Sequence, residues 1–212
     1  DQVDAIADPQ VRKTQYTLFT GHHSVPVATV RGNHDKNEHY FGHFGLPNAR
    51  DGNFHFMHKG VLFIGIDTNN LNYQFHIDCI RNALAGSVYD WAVLLMHHSL
   101  YASSKAGITD KVNTLRDGIS DFIVKETDIA LVLAGHEHYL CRTTCPGKLF
   151  FTTPTCTGSK YYVPDNPSAI WNQVTVEQKE PMYTVMDVSQ NQLVLTTFDF
   201  DGNIIDSVSV GR

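Results

Sequence analysis

The 212 residues carry 16 Lys plus Arg against 22 Asp plus Glu, a formal net charge of −6, and 42% of them are hydrophobic. That length suffices for one substantial domain with its own core. The acidic balance disfavours nucleic-acid or anionic-membrane binding through bulk charge, and no apolar run approaches the roughly 20 residues of a membrane-spanning helix.

A helix is predicted over Pro9–Gly21. The β-branched run "VPVATV" (Val25–Val30) predicts a short strand that ends in the turn Gly32-Asn33-His34-Asp35. Residues Asn53–Thr68 read as a hairpin turning at Lys59-Gly60. Ile77, Ile80 and Leu84 share one helical face. "WAVLLM" (Trp91–Met96) and "IALVLAG" (Ile129–Gly135) are continuous apolar runs of the kind found in buried strands. Between them Val112, Leu115, Ile119 and Phe122 predict an amphipathic helix. Cys141 and Cys145 bound the polar run "CRTTC", read as a loop whose two thiols could bridge. An even cysteine count permits disulfides without requiring them. A secreted or extracytoplasmic setting is the preferred expectation. From Lys148 onward short strands follow, ending in a hairpin that turns at Asp201-Gly202. Strands alternating with helices, then a strand-rich tail, predict an α/β sandwich.

Twelve histidines are many for this chain, and their placement is not even. Asn33 and His34 follow the first predicted strand, His97 and His98 the run Trp91–Met96, His136 and His138 the run Ile129–Gly135. Ligands of open α/β sheets bind at the carboxyl ends of strands. One polar strand end could be turn composition; three at equivalent positions point to a metal site. Neutral imidazole suits Zn, Fe, Mn or Co. The amide oxygen of Asn33 leaves the positive charge of such a site available to a phosphate. Asp1 and Asp4 offer a carboxylate to bridge two ions.

The ordered motifs GNHD (Gly32–Asp35), MHH (Met96–His98) and GHEH (Gly135–His138) resemble the calcineurin-like metallophosphoesterase superfamily, and "DQVD" resembles the end of its G-D-x-x-D motif. "GVLFIGIDT", "LAGHEHYLCRT" and "GSKYY" are similar to its purple-acid-phosphatase-like and secreted bacterial branches. The resemblance implies an αββα fold, a two-sheet β-sandwich flanked by helices, and two divalent transition metal ions (Zn, Mn or Fe). It also implies hydrolysis of a small-molecule phosphoester, monoester or diester, by water activated between those ions. By the same resemblance Asp1 bridges the metals, Asn33, His97 and His136 complete one ligand set, and His138 belongs to the other. His34 contacts the phosphate or protonates the leaving oxygen, Asp35 orients His34 by a hydrogen bond, and His98 lines the pocket. The alternative is a non-catalytic scaffold of the same fold.

Departures from the family refine these expectations. The family's D-x-H motif is expected upstream of Asp1. The chain is therefore read as a single metallophosphoesterase domain, residues 1–212, lacking its first βαβ segment, with an N-terminal fragment of the same protein as a candidate partner. Purple acid phosphatases carry Tyr where Asp4 stands, which argues for a colourless divalent pair here. Ser/Thr protein phosphatases carry Arg where Ala5 stands. The segment Gly158–Pro181, with Tyr161, Tyr162, Pro164, Pro167 and Trp171, is either a substrate wall or a packed surface loop.

Overall fold

The helix expected at Pro9 forms as α1 (Pro9–Gly21), and its sequence explains its start. The Asp8 carboxylate accepts the Gln10 N–H at 2.8 Å, and Pro9 at the first helical position needs no donor of its own. The computed structural model describes residues 1–3, 8–104, 109–145, 147–156, 160–164 and 172–212. Asp4, Ala5, Gly158, Pro167 and Trp171, singled out in the sequence, lie outside the described residues.

After α1 the chain runs through α2 (Asn37–His43), β1 (Phe54–His58), β2 (Val61–Gly65), α3 (Tyr73–Ala85), β3 (Trp91–His98), α4 (Asp110–Glu126) and β4 (Leu131–Gly135). It continues through β5 (Leu140–Cys145), β6 (Lys148–Thr152), β7 (Asn172–Val176), β8 (Met182–Val188), β9 (Gln192–Asp199) and β10 (Ile204–Gly211). Seven strands form one sheet in the order β1-β2-β3-β4-β6-β5-β7, and β10-β9-β8 form a second. β2, β3, β4 and β6 run parallel, joined by helical crossovers where the chain permits; β1, β5 and β7 are antiparallel to their neighbours.

Alternation along the parallel strands makes two cores. Leu62, Ile64, Leu94, Met96 and Val132 pack against Ile77 and Ile80 of α3 and Leu115 and Ile119 of α4. The opposite face, with Trp91, Val93, Leu131, Leu149 and Phe151, packs on Leu193, Leu195 and Val210 of the second sheet. Each such side chain contributes about 1.5–3 kcal/mol by leaving water. The fold is thus a two-sheet arrangement flanked by helices, as the sequence led us to expect. The hairpin turn is also where it was expected: Lys59 and Gly60 both have positive φ (46° and 80°), the requirement of a two-residue turn that matches strand twist.

Two expectations are corrected. Val25–Val30 is not a strand; no neighbour pairs with it among the described residues, and Val25 and Val27 are exposed. β-Branched composition alone does not make a strand without a ladder to join. The run is held instead through Thr29, whose hydroxyl meets that of Tyr40 at 2.7 Å. The "CRTTC" run is not a loop but β5, paired on both sides, and both thiols are free. Four residue-to-residue rises along the extended strand set Cys141 about 13 Å from Cys145, well beyond the roughly 7 Å that a disulfide spans.

Candidate metal centre

Parallel pairing of β3 with β4 places His98 beside Gly135. The carboxyl ends of these two neighbours therefore deliver His97, His98 and His136 to one place. Their ring nitrogens lie within 4.8 Å of one another. The third contribution comes from the Gly32–Asp35 turn. Gly32 is required there, because a Cβ would overlap the Asp1 carboxylate.

His97 Nε2 lies 2.9 Å from Asn33 Oδ1, 3.1 Å from His136 Nδ1 and 3.4 Å from Asp1 Oδ2. A ring nitrogen offers one hydrogen or one lone pair in its plane, so His97 Nε2 cannot satisfy all three neighbours by hydrogen bonding. A cation among them would satisfy all four groups, and imidazole, amide and carboxylate are suitable donors for a divalent transition metal. The residues present therefore fit the group that the motifs imply. Asp1 Oδ1 also accepts the His34 N–H at 2.8 Å, which ties the bridging candidate to the proposed acid.

The histidines are held ready to ligate. Burial first, then neighbouring positive charge including that of the other histidines, holds His97 well below the ordinary imidazole range. Burial likewise lowers His98 to about 2 and His136 to about 4; His136 adds to the effect on His98, His138 to that on His136, and the Lys111 ammonium to both. All three are neutral at physiological pH, the form that binds metal. His98 is equally buried, and its Nδ1 meets Thr68 Oγ1 at 2.7 Å.

His138 is fixed from a different side. Its Nδ1 lies 3.0 Å from the Lys160 carbonyl, which can only accept, so Nδ1 carries the proton and Nε2 keeps its lone pair. Its ring stacks on Tyr162 at 4.9 Å. His136 and His138 both occupy the left-handed backbone region, φ 74° and 55°, which is costly for non-glycine residues and frequent at functional sites. Glu137 between them is fully buried and accepts from Ser104 Oγ (2.9 Å) and the Tyr139 hydroxyl (3.1 Å). Burial nevertheless pushes its carboxyl up.

Asp35 is placed beneath the turn. Its carboxylate accepts the Gly32 N–H at 2.9 Å, the Gln2 N–H at 3.3 Å and the Tyr16 hydroxyl at 3.0 Å. It thereby fixes the backbone from which His34 projects. His39 and His43, adjacent in sequence, belong to α2; His43 stacks on Tyr16 at 5.4 Å. Sequence reasoning assigned no role to Tyr16, Thr68, Asn69 or Lys111; of these only Thr68 lies in a recognisable stretch, at the end of "GVLFIGIDT".

Asp1, His34, His97, His136 and His138 line one cavity of about 550 Å³, closed by Gln15 and Leu18 of α1 and by Lys160 and Tyr162. Of the described residues of the segment Gly158–Pro181, Lys160 and Tyr162 line it. A slightly larger cavity, about 610 Å³, lies on the other side of the turn against Arg31, Phe41, Phe44 and Asp67. It contains none of the convergent ring nitrogens, so the smaller one is the candidate active site. No described helix is long and apolar enough to cross a membrane.

A profile described as calcineurin-like phosphoesterase matches residues 2–140. No curated protein matches the chain. Among solved structures, GAP50, described as the anchor in the inner membrane complex of Plasmodium, superposes with a TM-score of 0.51 at 15% identity, over 75% of this chain and 53% of its own. PhoD superposes with a TM-score of 0.49 at 13% identity, over 94% of this chain and 49% of its own. Vps29 from Chaetomium thermophilum gives 0.38 at 15% identity, over 86% and 68%. The chain thus spans about half the length of the first two.

Proposed function

This chain belongs to the calcineurin-like phosphoesterase family, and we propose that it hydrolyses small phosphate esters with two divalent transition metal ions. The observation that supports this best is the crowding of Asn33 Oδ1, Asp1 Oδ2 and His136 Nδ1 around His97 Nε2. A fold kept only as a scaffold has no need of four neutral or anionic donors in mutual contact. Two such ions, when bound, polarise phosphoryl oxygens and bring water near the pKa at which it attacks at neutral pH.

The chain's own residues do the rest. Asp1 would lie between the ions, with Asn33, His97 and His136 holding one and His138 contributing to the other. The amide of Asn33 would hold an ion without cancelling charge that an incoming phosphate needs. His34 stands at the cavity wall, its backbone anchored to Asp1, and would hold a proton toward the departing oxygen. Asp35 keeps the His34 turn rigid from below. Lys160 and Tyr162 form the wall against which the alcohol part of the substrate rests.

The test is metal content and turnover together. Protein expressed with supplemented Mn²⁺ or Zn²⁺ should hold two ions per chain and cleave p-nitrophenyl phosphate or its bis ester. His136→Ala should lose most of one ion. Protein that retains no transition metal after supplementation would count decisively against the assignment.

A further inference from the structure

We propose that Asn69 is a positioning residue of this site, holding the backbone from which Asn33 and His34 project, with Lys111 locking its amide in the required orientation. The inference rests on the metal-dependent phosphoesterase reading above. No motif marks Asn69; its role comes from what it touches. Its amide nitrogen donates to the carbonyls of Arg31 (3.2 Å) and Gly32 (3.1 Å), the two residues directly before Asn33, and reaches Asp67 Oδ1 at 3.1 Å. Its amide oxygen accepts from Lys111 Nζ at 3.0 Å. An ammonium only donates, so Lys111 decides which side of the amide faces it. The nitrogen is thereby turned toward the two carbonyls.

The loop that carries Asn69 is itself anchored. The Asp67 N–H donates to Asn53 Oδ1 at 2.9 Å, and its carboxylate receives Arg31 Nε at 2.8 Å and a terminal guanidinium nitrogen of the same residue at 2.7 Å. Arg31 also donates to the Asp35 carbonyl at 3.3 Å. His76, fully buried, reaches the Asn70 carbonyl at 2.8 Å. Directly before Asn69, Thr68 grips the His98 ring and accepts the His98 N–H. A single rigid loop therefore sets the distance between the turn bearing Asn33 and the strand end bearing His97. The groups that orient metal ligands matter nearly as much as the ligands themselves.

Asn69→Asp keeps shape and the acceptor for Lys111 but replaces the donors with an oxygen that repels both carbonyls. Titration of Mn²⁺ into metal-free protein should show one site weakened by about 10–100-fold, and kcat at non-saturating Mn²⁺ should fall with it. Lys111→Ala should weaken the same site by a smaller factor, and Lys111→Arg should recover much of the loss. The thermal midpoint of metal-free Asn69→Asp should stay within a few degrees of wild type. Wild-type Mn²⁺ affinity in both Asn69→Asp and Lys111→Ala overturns the inference alone. So does a lowered midpoint with unchanged affinity in the folded protein, the signature of a merely structural side chain. Should Asn69→Asp not fold, wild-type affinity in Lys111→Ala is enough to overturn it. Wild-type protein that binds neither Mn²⁺ nor Zn²⁺ overturns the phosphoesterase reading and this inference together.

Discussion

His34 sits in a motif of ligands, yet its place differs from theirs. Asn33, His97 and His136 point at one another, whereas His34 is tied in by its backbone N–H and lines the open cavity. His34→Ala should leave metal content near normal, because Asn33 and the other donors remain. Turnover should fall by about 10²–10⁴-fold, the usual worth of a positioned acid. The loss should be larger for alkyl phosphates, whose leaving groups are strongly basic, than for p-nitrophenyl phosphate, whose leaving group departs without a proton. Comparing both substrates at matched metal occupancy separates the roles. An equal loss would mean that His34 positions the phosphate, and no loss on either would remove it from the chemistry.

Elements with a strong period were legible from sequence, and elements defined by their neighbours were not. β3 and β4 announce themselves as continuous apolar runs, and α4 as a 3.6-residue stripe ending in Phe122. Val25–Val30 has the composition of a strand but no partner, and β5 has the composition of a loop but two partners. Pairing is a property of the sheet, not of five residues. The site divides in the same way. The ligand candidates stand in short motifs, whereas Asn69 meets Arg31 and Lys111 across 38 and 42 residues of chain, and no local pattern reports such a contact. Packing between elements is similarly hidden at Gly118 of α4. A helical Gly→Ala change ordinarily gains about 0.5–1 kcal/mol, which would recommend the substitution. Here the new Cβ would run into the ring and Cβ of Tyr73 on α3, and overpacking costs about 1–3 kcal/mol. Gly118→Ala should therefore be net destabilising. Urea unfolding should show a lower midpoint with the slope unchanged; a higher midpoint would mean that Tyr73 swings aside freely.

On the scale of the whole molecule, β3 serves both cores and ends in the metal centre, so folding and the state of the histidines are coupled. An unfolded histidine takes up its proton near pH 6.5. In the folded chain burial holds His98 off to about 2 and His136 to about 4. Between roughly pH 6.5 and 4 the unfolded chain binds more protons than the folded one, so stability falls as pH falls. Each of the two groups contributes a slope of about 1.4 kcal/mol per pH unit. Above pH 6.5 their contribution is complete and flat. His97 and His76, lowered by burial as well, act in the same direction. Urea unfolding of metal-stripped protein should therefore show a plateau above neutrality and a steep decline toward pH 5. His98→Gln removes one of the groups that resist protonation, so its decline should be shallower by about 1.4 kcal/mol per pH unit. A wild-type profile level from pH 7.5 to 5 would mean that the histidines are already solvated in the folded chain. The histidines would not then be held neutral by burial, ready to bind metal, at that pH. Restoring Mn²⁺ should move the whole decline to lower pH, because an ion bound to neutral imidazole must be displaced before the proton can enter.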